Sequence, residues 1–156
     1  DLISDDEGPF SPERAGRVPC KDLIELCYSG TFNKAAMHKK LRGNGGIKAY
    51  LGTVDVREVV RRMESGDEKA GLIFEAMAYQ VAKGIGELAT VLSGKVDAVV
   101  ITGGIAYSEK MTGLITERVS FIAPVLIFPG ENEMESLALG TLRVLRGEET
   151  AREYAE

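Results

Sequence analysis

The second half of the chain alternates between helical and strand-like patterns of apolar residues. From 67 to 92, apolar side chains recur at helical spacing, at Leu72, Ile73, Ala76, Met77, Val81, Ile85 and Leu88. Apolar runs at 96–102 and 125–128 predict two buried strands, because a central parallel strand is covered on both faces. A glycine follows each run, and helical patterns at 108–119 and 131–146 come next. This order predicts an α/β layer with parallel strands.

The first 66 residues contain shorter elements and more turns. Their patterns predict helices over 19–29, 33–42 and 55–65 and a short strand at 47–51. Three prolines and two glycines make 8–19 a constrained loop. We divide the chain into a loop and helical insert region (1–66), an α/β core (67–147) and a charged C-terminal tail (148–156), all belonging to one domain.

Composition narrows the classes of protein to which the chain can belong. With 19 Lys and Arg against 24 Asp and Glu, the net charge is −5, which disfavours a nucleic-acid or anionic-membrane binder. Cys20, Cys27 and the single histidine, His38, do not form a zinc pattern. We expect two reduced, mostly buried thiols, which favours a cytoplasmic location. The first residue is not Met, and the segment 1–7 is acidic, with four Asp or Glu residues, so we expect a piece of a longer polypeptide.

Two candidate sites lie where the predicted strands end, because ligands of open parallel sheets bind beyond the carboxyl ends of the strands. At the first end, Gly103 and Gly104 precede Ile105, and paired glycines would let a flat ring or a ribose approach the backbone. A strand-to-helix turn that only requires glycine explains the same pair. At the second end, Glu131 and Glu133 either compensate the helix dipole or hold Mg²⁺ near a phosphate group.

Two further segments carry charged side chains at constrained positions. Asp55 is a good N-cap, whereas Arg57 in the first turn opposes the helix dipole and is the less natural of the two. In the loop, Arg14 and Arg17 could clamp a carboxylate or a phosphate, since guanidinium groups bind both bidentately. A rigid linker with two solvated arginines is the alternative interpretation.

Five segments resemble butyrate kinases and follow the order they have in that family. They are 8–16 (GPFSPERAG), 49–53 (AYLGT), 75–80 (EAMAYQ), 102–106 (TGGIA) and 120–124 (SFIAP), and together they span nearly the whole chain. The family belongs to the acetate and sugar kinase, actin-like ATPase superfamily. The resemblance implies a partial ribonuclease H-like (actin-like ATPase) domain with parallel strands and helices on both faces.

The resemblance also implies an activity, its cofactors and its residues. The activity is ATP-dependent phosphorylation of a short-chain carboxylate such as butyrate to an acyl phosphate, with ATP, ADP and Mg²⁺. The residues implied at the nucleotide site are Asp55, Arg57, Gly103, Gly104 and Ile105. Glu133 would be the carboxylate associated with Mg²⁺. Arg14 would clamp the transition state, with Arg17 as its rival.

The resemblance covers roughly the last two-fifths of a butyrate kinase, judged from usual domain sizes. The family's first domain and its His-Leu-Gly-Gly-Gly phosphate hairpin are missing from the sequence. We therefore expect the N-terminal remainder of the same polypeptide as a partner, and weak or absent catalysis by the isolated chain. A homo-oligomer is expected by the same resemblance. The alternatives are a branched-chain carboxylate kinase and a non-catalytic nucleotide-binding or oligomerisation module.

Overall fold

The computed structural model describes residues 7–130, 133–151 and 153, which form seven helices and two strands. A 3₁₀ turn, Gly104–Tyr107, follows the first strand. In chain order the elements are α1 (Cys20–Tyr28), α2 (Lys34–Leu41), α3 (Gly46–Leu51), α4 (Val56–Glu64), α5 (Glu68–Val91), β1 (Val99–Gly103), α6 (Glu109–Val119), β2 (Val125–Pro129) and α7 (Glu133–Leu145). The predicted helices and both predicted strands are present with small changes at their ends, whereas the strand predicted at 47–51 is helix α3.

Side-chain caps explain where four of the helices begin. The capping oxygens belong to Asn33, Asp55, Asp67 and Ser108, and each accepts a hydrogen bond from a main-chain N–H of the first turn. Such a cap stabilises a helix by about 1 kcal/mol. At α4, Glu58 accepts from the Thr53 hydroxyl at 2.7 Å, and that hydroxyl accepts from the N–H of Asp55 at 3.1 Å. Asp55 therefore caps α4, and Thr53 links the main-chain N–H of Asp55 to the side chain of Glu58.

The hydrophobic core lies between α5, α6, α4 and β1. Its largest fully buried side chains are Phe74, Ile47, Met77, Met111, Ile115, Val59 and Val119. Phe10 from the loop joins the same cluster. One core thus contains residues from before and after position 66, and the division of the chain at 66/67 stays a prediction.

The two strands are parallel, and their carboxyl ends coincide. Val99 lies opposite Val125, and Gly103 lies opposite Pro129. The prediction that both strands are buried is wrong for the described residues. In β1 the burial alternates, with Val100 57% exposed, and in β2 the side chain of Phe128 is 58% exposed.

Helix α3 replaces the predicted strand because tertiary contacts outweigh the alternating pattern. The N–H of Ile47 donates to Ser11 O at 3.1 Å, and the N–H of Lys48 donates to Pro12 O at 2.9 Å. These bonds satisfy first-turn donors that a helix would otherwise leave unpaired. Gly46, the first residue of α3, has φ +56°, a backbone conformation that glycine adopts readily.

Several side chains expected to face inward are exposed. Leu72 is 66% exposed, and α1 and α7 contain no buried residue. The expectation of mostly buried thiols is also wrong, because Cys20 and Cys27 lie on α1, and both are exposed and free. No other element of the described residues packs over the apolar sides of these helices closely enough to bury them.

Candidate functional site

A large cavity lies between the start of α4 and the segment that follows β1. Its volume is about 960 Å³, within the range of sites that enclose small molecules. Its lining is formed by Pro12, Asp55, Val56, Arg57, Val60, Gly104, Ile105, Tyr107, Ser108, Glu109 and Lys110. Four of the five residues predicted at a nucleotide site therefore share one cavity, although Asp55 and Gly104 are 49 positions apart. The fifth, Gly103, lies directly beside it in the chain.

Asp55 and Arg57 form a bidentate ion pair on one wall of this cavity. Arg57 Nε donates to Asp55 Oδ1 at 3.0 Å, and Nη2 donates to Oδ2 at 3.0 Å. The side-chain hydrogen bond from Arg57 is the main reason that the pKa of Asp55 lies below its usual value. The same bond raises the pKa of Arg57. The arginine side chain is 89% exposed, so its position depends on this pair rather than on packing.

The paired glycines join the two strand ends. Gly103 has φ +81°, and its N–H donates to Gly130 O at 3.1 Å, while the N–H of Gly130 donates back to Gly103 O at 3.2 Å. The Thr102 hydroxyl also donates to Gly130 O at 3.3 Å. A Cβ built on Gly104 would meet no atom within 4 Å. Gly103 is therefore required by the turn, whereas Gly104 lines the cavity and has open space at its Cβ position.

The predicted Mg²⁺-associated carboxylate is in the first turn of α7. Glu133 is exposed and follows Gly130 by three positions, so it belongs to the same pair of strand ends. Glu131 lies outside the described residues. No group of three His, Cys, Asp or Glu side chains that could hold a metal occurs in the part of the chain that the structure describes. A single exposed carboxylate suits Mg²⁺ that arrives with nucleotide phosphates, because this ion is commonly held by one or two carboxylates plus phosphate oxygens.

The proline-rich loop is held rigidly by its neighbours. The N–H of Ala15 donates to Leu41 O at 2.8 Å, and the N–H of Phe10 donates to the side chain of Gln80 at 3.2 Å. Close packing adds to these bonds. A Cβ on Gly46 would lie 1.9 Å from Ser11 O, and one on Gly16 would lie 2.5 Å from the nitrogen of Phe10. The loop therefore has one position relative to α3 and α5.

The two candidate arginines of this loop have different surroundings. Arg14 lines a second cavity of about 520 Å³, which shares Pro12 and Ile105 with the first. Arg17 lines a small pocket against α5, where it forms an ion pair with Glu87. The structure thus brings Arg14, but not Arg17, next to the cavity that contains Asp55 and Arg57.

Several lining residues were not singled out in the sequence. The most notable are Tyr107, Ser108 and Lys110, which follow the glycine turn directly. Lys110 forms an ion pair with Glu64 at the end of α4, so it connects the two walls of the cavity. Tyr107, Ser108 and Lys110 follow the predicted strand 96–102 closely, and this position beyond a strand end was the one sequence signal that could have identified them.

The family model and the curated relatives that match the chain indicate the same family of proteins. Residues 14–124 match the model of the Acetokinase family. Over 147 residues the chain is 54% identical to the probable butyrate kinase 2 of Caldanaerobacter subterraneus subsp. tengcongensis, a match that covers 94% of this chain and 42% of that protein. It is 53% identical over 150 residues to butyrate kinase 1 of Clostridium acetobutylicum, covering 96% of this chain and 42% of that protein. The chain therefore spans about two-fifths of the length of these relatives, and the predicted resemblance to butyrate kinases is confirmed.

Solved structures show the same fold at low sequence identity. The acetate kinase of Porphyromonas gingivalis matches 88% of this chain and 41% of its own with a TM-score of 0.79 and 21% identity. The acetate kinase of Entamoeba histolytica matches 86% of this chain and 43% of its own with a TM-score of 0.74 and 17% identity. This likeness confirms the predicted α/β, actin-like ATPase fold class.

Proposed function

The chain belongs to the acetokinase family, and from this premise we propose that it is the nucleotide-binding part of a butyrate kinase. The reaction transfers the γ-phosphoryl group of ATP to a carboxylate oxygen of butyrate. One P–O bond to the β-phosphate breaks, one P–O bond to the carboxylate forms, and the products are butyryl phosphate and ADP.

The single observation that carries the proposal is the convergence on one cavity. Asp55, Arg57, Gly104 and Ile105 come from two distant segments, yet all four line the same cavity of about 960 Å³. Spacing along the chain does not bring these segments together, whereas the fold does. Their meeting supports a nucleotide site at the end of β1.

Phosphoryl transfer requires mainly positioning and charge neutralisation, and the described residues offer both. The Asp55–Arg57 pair and the glycine turn would position the adenosine. Arg14, held by the rigid loop beside this cavity, would stabilise the charge on the transferred group. Glu133 would hold Mg²⁺, which neutralises phosphate charge when it is bound with the nucleotide.

The whole activity requires residues outside this chain. The chain covers about two-fifths of its curated relatives, so the remainder of the polypeptide is proposed to supply the other phosphate contacts and most of the acyl site. We expect weak or absent catalysis by the isolated chain, and a homo-oligomer for the complete enzyme. A cytoplasmic location is supported by the two free thiols, since cysteines remain reduced in that compartment. No helix among the described residues meets the length and apolarity needed to cross a bilayer.

The proposal can be tested by trapping the acyl phosphate. The full-length protein, MgATP and a carboxylate are incubated with hydroxylamine, and the resulting hydroxamate is measured for acetate, butyrate and isobutyrate. Hydroxamate from butyrate is the expected result, and a higher specificity constant for isobutyrate would move the assignment to a branched-chain carboxylate kinase. If none of the acids gives hydroxamate while MgADP still binds, a non-catalytic nucleotide-binding module is the correct assignment.

A further inference from the structure

An exposed tyrosine lines the same cavity as the Asp55–Arg57 pair. Tyr107 is the last residue of the 3₁₀ turn, and 70% of its surface is exposed. It does not contribute to the core, whereas its neighbour Ala106 is buried. The aromatic ring is thus available to a ligand rather than used for packing.

The hydroxyl end of this ring lies close to a glycine at the neighbouring strand end. A Cβ built on Gly130 would lie 3.0 Å from the hydroxyl oxygen of Tyr107 and 3.8 Å from Cζ. The phenol end therefore rests against main chain that carries no side chain. Gly130 is itself held by the two hydrogen bonds to Gly103. Two features therefore restrict the position of the ring: the 3₁₀ turn that carries Tyr107 and the strand end that its hydroxyl contacts.

The opposite wall offers a second flat group. The guanidinium of Arg57 is held by both oxygens of Asp55, and it comes from α4, whereas Tyr107 follows β1. A cavity with planar groups on two separate walls fits a flat heteroaromatic ring, since such rings stack on aromatic and guanidinium faces.

We propose that Tyr107 is the residue on which the base of the bound nucleotide stacks. This inference rests on the proposed function and adds a positioning residue to it. Stacking uses the π-face that every base has, so it contributes affinity without strong selection among bases. Tyr107 therefore sets how tightly the base is held, and other contacts select adenine.

The experiment compares two ligands and three substitutions in the full-length protein. MgADP and ribose 5-diphosphate, which lacks the base, are titrated calorimetrically against the wild type, Tyr107→Leu and Tyr107→Phe. Tyr107→Leu is expected to weaken MgADP by about 5- to 150-fold and to change the affinity for ribose 5-diphosphate less than twofold. Tyr107→Phe keeps the ring and should keep the MgADP affinity within about threefold. Tyr28→Leu, at an 88% exposed tyrosine on α1, is the matched control and should change neither ligand.

The outcomes separate this inference from the proposed function. If the wild type does not bind MgADP, the nucleotide site itself is refuted. If the wild type binds and Tyr107→Leu binds equally well, or weakens both ligands by one factor, the stacking role is overturned while the site stands. A loss with Tyr107→Phe as large as with Tyr107→Leu would assign the effect to the hydroxyl and overturn stacking. Tyr107→Gln provides the same test if Tyr107→Leu does not fold.

Discussion

Gly104→Val would block the proposed nucleotide site without disturbing the fold. The backbone of Gly104 is not in the left-handed region, and a Cβ there would meet no atom within 4 Å. Valine is also a slightly better former of helical turns than glycine, by a few tenths of a kcal/mol. We expect the free energy of unfolding to change by less than about 0.5 kcal/mol. Gly103→Val is a poorer choice, because φ +81° at that position would strain any side chain. A loss of binding could then not be separated from a loss of folding.

The effect of Gly104→Val on binding should be large. The three added carbon atoms occupy space that lines the cavity, so we expect the Kd of MgADP to rise at least about tenfold, or 1.4 kcal/mol. Calorimetric titration of the full-length protein measures this, and thermal unfolding measures stability. Gly113→Val is the matched control, because its Cβ also meets nothing within 4 Å while the residue lies outside the cavity. Unchanged MgADP affinity in Gly104→Val would place the base elsewhere and refute the reasoning.

Three further predictions concern Arg14, Gly46 and Asp55. Arg14→Ala should lower kcat by about 1000-fold, the effect of removing a transition-state arginine, whereas Arg17→Ala should lower it less than about tenfold; hydroxamate formation measures both, and the reverse order would move the role to Arg17. Gly46→Ala should lower the free energy of unfolding by about 1–3 kcal/mol, because its Cβ would lie 1.9 Å from a main-chain oxygen of the loop; Gly52→Ala, also at positive φ but in open space, should cost less in urea unfolding. Asp55→Asn should lower the urea midpoint of unfolding at pH 7. The difference from the wild type should vanish as the pH falls below 3.8, the ordinary pKa of the carboxyl, and through its lowered pKa in the folded state. A difference that persists in acid would show that the charge of Asp55 is not responsible.

Much of the candidate site was predictable because its parts lie at positions where the chain has few choices. Gly103 and Gly104 end an apolar run, and a strand end is where an α/β sheet binds its ligands. Asp55 precedes a helical pattern and caps it as expected. That these segments form one cavity did not follow from spacing, since it depends on how α4 and α6 pack on α5. Only the resemblance to butyrate kinases joined them before the structure did.

Helix α3 shows why local pattern was insufficient elsewhere. The alternation of Ile47, Ala49 and Leu51 fits a strand, but the donors of the first turn are satisfied by oxygens of a loop more than 30 positions earlier. A contact between residues so far apart leaves no local signal, because the sequence of the loop does not show which donors its carbonyl oxygens will accept from. The prediction that β2 is buried was wrong for a similar reason, because an apolar run does not show whether another element packs over it.

The proposed roles divide nucleotide binding from phosphoryl transfer between parts of the polypeptide. The two cavities share Pro12 and Ile105, and the loop that carries Arg14 packs against the same core as β1. The proposed base site and the proposed arginine clamp therefore lie in adjoining cavities beside one hydrophobic core. In the proposed function, the rest of the polypeptide supplies most of the contacts to the carboxylate substrate. Loss of that remainder should remove turnover before it removes affinity for MgADP, and a variant such as Gly104→Val should do the opposite.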